Sequence, residues 1–236
     1  FVSALSLFLS KNKKFNGSIS LLITGDEEGD AVNGTKKVVE YLKKKREKIN
    51  FCLVGEPTNP NKLGEMIKIG RRGSLTGNLT VFGLQGHVAY PQRAINPSTI
   101  IVKILKELKE IIFDKGTKNF QPTNLEVTKI NINNTADNVI PAKAEATFNI
   151  RFNNKHSSKS IKKRLNKIFI KISKKNKSKF NVDYKVSGEA FLTKPNKTTY
   201  MIQNIVKKIT NIKPKLSTTG GTSDSRFIRK ISPGLE

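Results

Sequence analysis

The stretch Ile19-Ser20-Leu21-Leu22-Ile23 runs through Thr24 into Gly25-Asp26-Glu27-Glu28-Gly29, so an apolar segment of strand length ends in a glycine-bounded acidic turn. Carboxylates crowded beside a hydrophobic strand repel one another and lose solvation, which points to a bound cation or a proton-transfer role. The pattern returns at Phe51-Cys52-Leu53-Val54, a second short apolar run that leads into Gly55-Glu56-Pro57-Thr58. Between the two, residues 34–48 carry Val38, Val39 and Leu42 at helical spacing. Strand, helix, strand is the natural assignment. A right-handed crossover then brings both acidic ends to one rim of a sheet, the edge at which open α/β folds bind ligands. Taken singly, each acidic turn is better explained as a solvated turn; the repetition at two strand ends favours a site.

At 236 residues the chain has room for one large domain or two small ones. No apolar run approaches the roughly 20 residues that cross a bilayer, and no charged start with apolar stretch and cleavage site opens the sequence. A soluble, cytoplasmic protein without a membrane partner is expected. The lone cysteine, Cys52, falls inside a predicted strand and reads as a small buried apolar residue. Forty-four basic against 18 acidic residues give a formal charge of +26, which raises nucleic-acid binding through phosphate neutralisation. The lysines are scattered, aromatics are few and tryptophan is absent, so no specific nucleic-acid partner is expected, although a positive surface can steer an anionic substrate. Within the densest basic stretch, 159–179, Ile161, Leu165, Ile168, Phe169 and Ile172 recur at helical spacing, and the lysines form the solvated face of an amphipathic helix.

Phe1, Ala4, Leu5, Phe8 and Leu9 open the chain with a helical period. The basic, glycine-bounded run Lys68-Ile69-Gly70-Arg71-Arg72-Gly73-Ser74 marks a boundary near residue 73. From there to 186 the order strand, helix, strand, strand, helix, strand reads as a compact α+β module. Its first helix has Asn96 as N-cap, Pro97 at the first position, and an apolar face of Ile100, Ile101, Ile104, Leu105, Leu108, Ile111 and Ile112. Residues 126–133 and 144–152 alternate as an antiparallel pair, with Ala146, Phe148, Ile150 and Phe152 on one face. A further helix over 198–210 is expected to bury Ile202, Ile205, Val206 and Ile209, ahead of the glycine-rich loop Thr218-Thr219-Gly220-Gly221-Thr222-Ser223-Asp224. The expected organisation is an α/β domain built from 1–72 and 187–236, with 73–186 inserted.

In order, the motifs Thr24-Gly25-Asp26-Glu27-Glu28-Gly29, Val54-Gly55-Glu56-Pro57-Thr58, Gly70-Arg71-Arg72-Gly73-Ser74-Leu75, Gly86-His87-Val88-Ala89-Tyr90-Pro91, Asn138-Val139-Ile140-Pro141, Phe148-Asn149-Ile150-Arg151-Phe152 and Gly220-Gly221-Thr222-Ser223-Asp224-Ser225-Arg226-Phe227 resemble the succinyl-diaminopimelate desuccinylase family. This family lies within a superfamily of dinuclear zinc amidohydrolases that includes acetylornithine deacetylase and aminoacylase-type carboxypeptidases. The first two motifs are shared across the superfamily; the double arginine, the Gly-His-Val-Ala-Tyr-Pro run and the Gly-Gly-Thr-Ser-Asp run point to the desuccinylase branch. The resemblance implies a zinc-peptidase-like catalytic domain, a mixed sheet flanked by helices, with an inserted α+β dimerisation (lid) domain. The activity it implies is hydrolysis of N-succinyl-LL-2,6-diaminopimelate to succinate and LL-2,6-diaminopimelate, a step toward lysine. Two Zn2+ per subunit are implied, with Co2+ as a possible substitute, and a small anionic acylamino-acid substrate.

By the same resemblance Glu27 is the general base, while Glu28 and Glu56 ligate zinc. Zinc lowers the pKa of a coordinated water to about 7, and a nearby carboxylate can take its proton during attack on an amide. His87 reaches from the inserted module into the partner subunit's site to stabilise the oxyanion, which makes a homodimer the catalytic unit. From the residues alone, His87 is as readily a satisfied structural histidine, and His156, in a polar turn, reads as exposed. Arg71, Ser74, Arg151, Gly221 and Thr222 match substrate-binding positions, and Asn138 matches one contributed across the dimer. Arginine suits carboxylate because its planar fork donates two parallel hydrogen bonds; the alternatives are a surface turn for Arg71 and Arg72 and an outward strand residue for Arg151.

Three members of the family's zinc set, two histidines and a bridging aspartate, have no counterpart here, so the chain is expected to be an internal segment of a longer protein. With only Glu28 and Glu56 it is expected to bind metal poorly and to be inactive alone. Ser225 stands where the branch usually has glycine, which raises the question of backbone freedom in that loop. Acetylornithine deacetylase or another acylamino-acid hydrolase, and a non-catalytic dimerisation or basic binding module, remain as alternatives.

Overall fold

The computed structural model describes residues 1–236 apart from Asp30, Lys230, Pro233 and Glu236, and describes Gly234 and Leu235 by their backbone alone. Helices α1 (Val2–Lys11) and α2 (Thr35–Lys44) precede the short strands β1 (Cys52–Leu53), β2 (Met66–Lys68) and β3 (Gly70–Arg71). The long strand β4 (Gly73–Phe82), the two-residue β5 (Gly86–His87), α3 (Pro97–Lys109), β6 (Asn124–Asn131), β7 (Val139–Ile140), β8 (Lys143–Phe152), α4 (Ser158–Lys175) and β9 (Lys179–Gly188) follow. The chain continues through β10 (Phe191–Leu192), α5 (Lys197–Thr210), β11 (Lys215–Ser217), α6 (Ser225–Ile228) and β12 (Gly234–Leu235).

Period-two alternation along β8 buries Ala144, Ala146, Phe148, Ile150 and Phe152 completely or nearly so. This strand lies inside an antiparallel sheet of order β6-β8-β4-β9, with helices α3 and α4 on the apolar face. Ile100, Ile101, Ile104, Leu105 and Leu108 of α3 and Ile161, Leu165, Phe169 and Ile172 of α4 complete one core. Each such side chain, fully buried, contributes about 1.5–3 kcal/mol of transfer free energy. Gly77 makes room for that core, since a Cβ there would lie 2.3 Å from Phe148 Cζ. The opposite face is polar: Asn149 Nδ2 donates to Thr76 Oγ1 at 2.9 Å, and Thr147 Oγ1 donates to Asn78 Oδ1 at 3.0 Å.

Both helix starts follow from local chemistry. Asn96 Oδ1 accepts from the Ser98 amide at 2.9 Å ahead of Pro97, and Ser157 and Ser160 form a reciprocal capping box on α4. The predicted face of α3 overruns its end, however. The helix stops at Lys109, and Ile112 beyond it is 77% exposed.

Outside the sheet, three short ladders join the segment before residue 72 to the segment after 190: β1 with β12 and β2 with β11, both parallel, and β3 with β10, antiparallel. Two expectations fail in this part. Ile19–Ile23 forms no strand and Ile23 is 81% exposed, because a strand needs a hydrogen-bonded neighbour and none of the ladders among the described residues reaches it. Helix α5 is also turned relative to the predicted face. It buries Gln203, whose Nε2 donates to the Pro214 carbonyl at 2.6 Å, and leaves Ile205 and Ile209 exposed. Val206 and Thr210 instead pack on Gly64; the apolar stripe in the sequence is wider than the face that finds a partner.

Candidate active site

The acidic turn is organised by Asp26. Its Oδ2 accepts from the amides of Val32 and Asn33 at 2.7 Å each, folding the loop back ahead of α2. The hydrogen bond from Asn33, opposed by partial burial and supported by Val32, holds this carboxyl below its usual range. Asp26 is therefore the structural member of the trio, while Glu27 is half-buried and Glu28 exposed. Glu56 is half-buried after β1, and Cys52 is also half-buried rather than fully enclosed, with its thiol pushed up by desolvation.

A second cluster assembles on the glycine-rich loop after β11. Lys68 and Arg71, respectively 5% and 6% exposed, converge on Thr219: Lys68 Nζ donates to Oγ1 at 2.8 Å and Arg71 Nη1 to the carbonyl at 3.4 Å. Gly220, at φ +99°, lies against the Arg71 guanidinium, and a Cβ there would meet Nη1 at 2.7 Å. Only glycine satisfies both conditions. Arg71 is thus not the surface-turn residue that its sequence neighbourhood also allowed.

Arg151 extends the cluster. In the sheet register it lies between Ser74 of β4 and Asn124 of β6, a cross-strand row on the polar face. Its Nη1 reaches Thr222 Oγ1 at 3.5 Å, which brings Thr222 to the strand position paired with Ser74. Arg72 joins from the β3–β4 junction, donating from Nη1 to Asn124 Oδ1 at 2.9 Å. Ser225 is buried in the first position of α6 with no positive φ, so a side chain is accommodated there without strain.

His87 and Asn138 lie elsewhere, on the ribbon formed by β5 and β7. The Val88 amide donates to the Asn138 carbonyl at 3.0 Å. His87 is exposed and its Nδ1 accepts from the Ala89 amide at 3.1 Å. That bond selects the tautomer in which Nε2 carries the proton and can donate. The ribbon's hydrogen bonds remain within it, so the structure pairs His87 with Asn138 and groups neither with Arg71 or Arg151.

Sequence reasoning missed Lys68, Asn124 and Gly220, and it misread His156. This histidine is half-buried, with Nε2 3.0 Å from Asp114 Oδ2. Asp114 also accepts from Asn153 Nδ2 and the Gly116 amide, each at 2.6 Å. The loop it anchors carries Asn119, whose carbonyl accepts from Thr218 Oγ1 beside the glycine-rich loop. Only the position of Gly220 inside a Gly-Gly pair gave a signal in the sequence.

Residues 69–177 match the peptidase dimerisation domain of the M20 type. Over the whole chain, the succinyl-diaminopimelate desuccinylase of Pelagibacter ubique is 78% identical across 236 residues, covering 100% of this chain and 62% of that protein. Over its whole length the chain is similar to the succinyl-diaminopimelate desuccinylase family. The family member from Parvibaculum lavamentivorans is 51% identical, covering 94% of this chain and 56% of its own length, and that from Rickettsia bellii is 47% identical, covering 100% and 60%. The chain thus spans about three fifths of the length of the curated relatives it matches. Aminopeptidase PepT from Bacillus cereus superposes with a TM-score of 0.75 at 19% identity, covering 96% of this chain and 57% of that one. A tripeptidase from Staphylococcus aureus gives 0.75 at 17%, covering 97% and 58%. These likenesses bear out the α/β architecture with its dimerisation module. No helix among the described residues is long and apolar enough to cross a membrane.

Proposed function

We propose that the protein carrying this chain is a metal-dependent amidohydrolase that cleaves N-succinyl-LL-2,6-diaminopimelate to succinate and LL-2,6-diaminopimelate, as a cytoplasmic homodimer. The observation that carries this reading is the 78% identity to a desuccinylase over the full chain. Supporting it, Arg71 and Arg151 converge with Ser74 on the Gly220-Gly221-Thr222 loop, an arrangement suited to carboxylates. Residues 1–72 and 187–236 make the catalytic domain on this reading, with 73–186 as the inserted dimerisation domain. The exposed apolar side chains Val88, Tyr90, Ile130 and Ile132, on the ribbon and at the end of the edge strand β6, favour a partner subunit there.

In the reaction, Arg71 and Arg151 orient the anionic substrate, and Thr222 and Gly221 bound it from the loop side. Glu27 takes the proton of the attacking water and returns it to the leaving amine. His87, donating from Nε2, stabilises the oxyanion in the partner subunit's site, with Asn138 beside it. On this reading Glu28 and Glu56 would be the chain's zinc ligands, yet no group of three or more His, Cys, Asp or Glu side chains among the described residues could hold a metal ion. Among the described residues the set is incomplete and does not by itself fit a zinc centre.

The test is steady-state hydrolysis by the full-length, zinc-loaded protein. Preference for the succinylated substrate is expected. A clear preference for N-acetylornithine would overturn the branch assignment, and absence of amidase activity together with salt-sensitive RNA binding would replace the enzyme with a basic binding module.

A further inference from the structure

The root of the glycine-rich loop is gripped from two directions. On one side Thr219 Oγ1 accepts from Lys68 Nζ at 2.8 Å and lies 2.9 Å from Ser217 Oγ, which ties it to β2. Thr218, buried between Ser217 and Thr219, donates from Oγ1 to the Asn119 carbonyl. That acceptor is 99 positions away in the sheet module, on a loop within the connection from α3 to β6. The functional reading gives this loop no task.

The loop, residues 114–123, is built to hold the carbonyl in place. Asp114, its side chain 5% exposed, accepts from the amides of Gly116 at 2.6 Å and Thr123 at 3.3 Å, which closes the loop on itself. Asn153, wholly buried after β8, donates from Nδ2 to Asp114 Oδ1 at 2.6 Å and to the Gln121 carbonyl at 3.2 Å. Those two bonds fasten the loop to the sheet. At the tip, Thr117 Oγ1 accepts from the amides of Asn119 and Phe120 at 3.3 and 3.1 Å, and the Thr117 amide donates to the Phe120 carbonyl at 2.9 Å. Gly116 makes the turn at φ +81°, where a Cβ would lie 2.8 Å from the Phe120 carbonyl oxygen. Internal bonds of this kind meet the ordering cost of the loop during folding, so the contact with Thr218 joins one ordered element to another.

We infer that loop 114–123 is a strut from the sheet module to the root of the glycine-rich loop, which makes Thr218 a positioning residue for substrate binding and Thr117, at the tip of the strut, a second one acting through it. The link between the two loops stands on the geometry; its effect on substrate rests on the proposed hydrolase. A loop held in its binding conformation pays less to order when the substrate arrives. Loosening the strut therefore weakens ground-state binding, which appears in KM, and spares kcat.

Hydrogen exchange and steady-state kinetics on the full-length protein test the strut together. Thr117→Ala should speed exchange at the amides of Thr219, Gly220 and Gly221 by about threefold or more, and Thr117→Ser should restore the wild-type rates. In hydrolysis, Thr218→Val and Thr117→Ala should each raise KM about fivefold, the size of one neutral hydrogen bond, with kcat unchanged within about twofold. Thr218→Ser keeps the donor and should return KM close to the wild-type value. Because both residues act through one contact, the double variant should be no worse than Thr218→Val, whereas independent effects would multiply to about 25-fold. Faster exchange confined to residues 116–121, multiplied KM effects, or a fall in kcat at constant KM would each overturn the strut. The functional reading fails separately. If Thr117→Ala loosens the glycine-rich loop of a protein that cleaves no acylamino acid, the strut stands and the hydrolase falls. If the protein cleaves the succinylated substrate and Thr117→Ala leaves exchange in that loop unchanged, the reverse holds.

Discussion

His156 Nε2 lies 3.0 Å from Asp114 Oδ2 and ties the turn before α4 to the loop that leaves α3. Burial alone would raise the Asp114 pKa, but hydrogen bonds from Thr123, Gly116 and Asn153 outweigh it and hold the group at about 2. The folded value lies below the unfolded value of 3.8, so the stabilisation is complete above about pH 4 and is lost as the pH falls toward 2. A shift of this size corresponds to about 2 kcal/mol. Urea denaturation between pH 5 and pH 2, ranges set by this titration, should show that loss in the wild type. Asp114→Asn should be less stable at neutral pH and lose distinctly less stability across the same interval, the remainder coming from other carboxylates such as Asp26; a parallel pH dependence in both proteins would discount Asp114 as the anchor.

Gly220 is expected to tolerate no side chain. Gly220→Ala adds a Cβ 2.7 Å from Arg71 Nη1 at φ +99°, a strain of about 1–3 kcal/mol that the loop can relieve only by displacing Arg71 or Thr219. In the full-length enzyme kcat/KM should fall about tenfold or more, mainly through KM, since ground-state binding is what the arginine supplies. An unchanged KM would mean that Arg71 does not bind substrate from this position.

Glu27 and His87 should complement across subunits. Glu27→Gln and His87→Ala homodimers are each expected to lose about 100-fold or more in kcat. Mixing and reassembling them in equal amounts should recover about a quarter of wild-type activity, because half the dimers then contain one intact composite site. If His87 serves the site of its own chain, mixing recovers nothing.

Gly77 tests the core of the sheet module. A Cβ there would meet the Phe148 ring at 2.3 Å, so Gly77→Ala should cost about 1–3 kcal/mol through overpacking. Thermal melts of the chain would register this as a lower Tm, and Gly221→Ala, where a Cβ meets nothing within 4 Å, serves as the contrast.

The sheet module was legible because its signals are local and redundant. Asn96-Pro97 marks a helix start, and alternation through Phe148, Ile150 and Phe152 fixes which face of β8 is buried whatever lies beside it. Ile19–Ile23 and the outer side of α5 were misread for the opposite reason: apolarity tells that a segment seeks cover, not whether this chain supplies it. At the site, Arg71, Ser74, Arg151 and Thr222 carried the family's motif. Asn124 and Lys68 acquire their places only through the register of β6 against β8 and of β2 against β11, which no run of sequence displays. His156 looked like any polar turn residue because its partner, Asp114, is 42 positions away.

The register that sets Ser74 opposite Gly188 brings the two ends of the sheet module together at its base. Lys68 and Thr219 hydrogen-bond across a separation of 151 positions, and closing so long a chain early in folding is slow. Once β4 and β9 are paired, most of the intervening chain is already spanned, and the entropic cost of closure drops by about 1 kcal/mol. The expected kinetic order is hierarchical, with the sheet forming before the loop around Thr219 closes. In rising denaturant the same loop should open first, so affinity for an anion would vanish while the amides of β4 and β8 remain protected from hydrogen exchange.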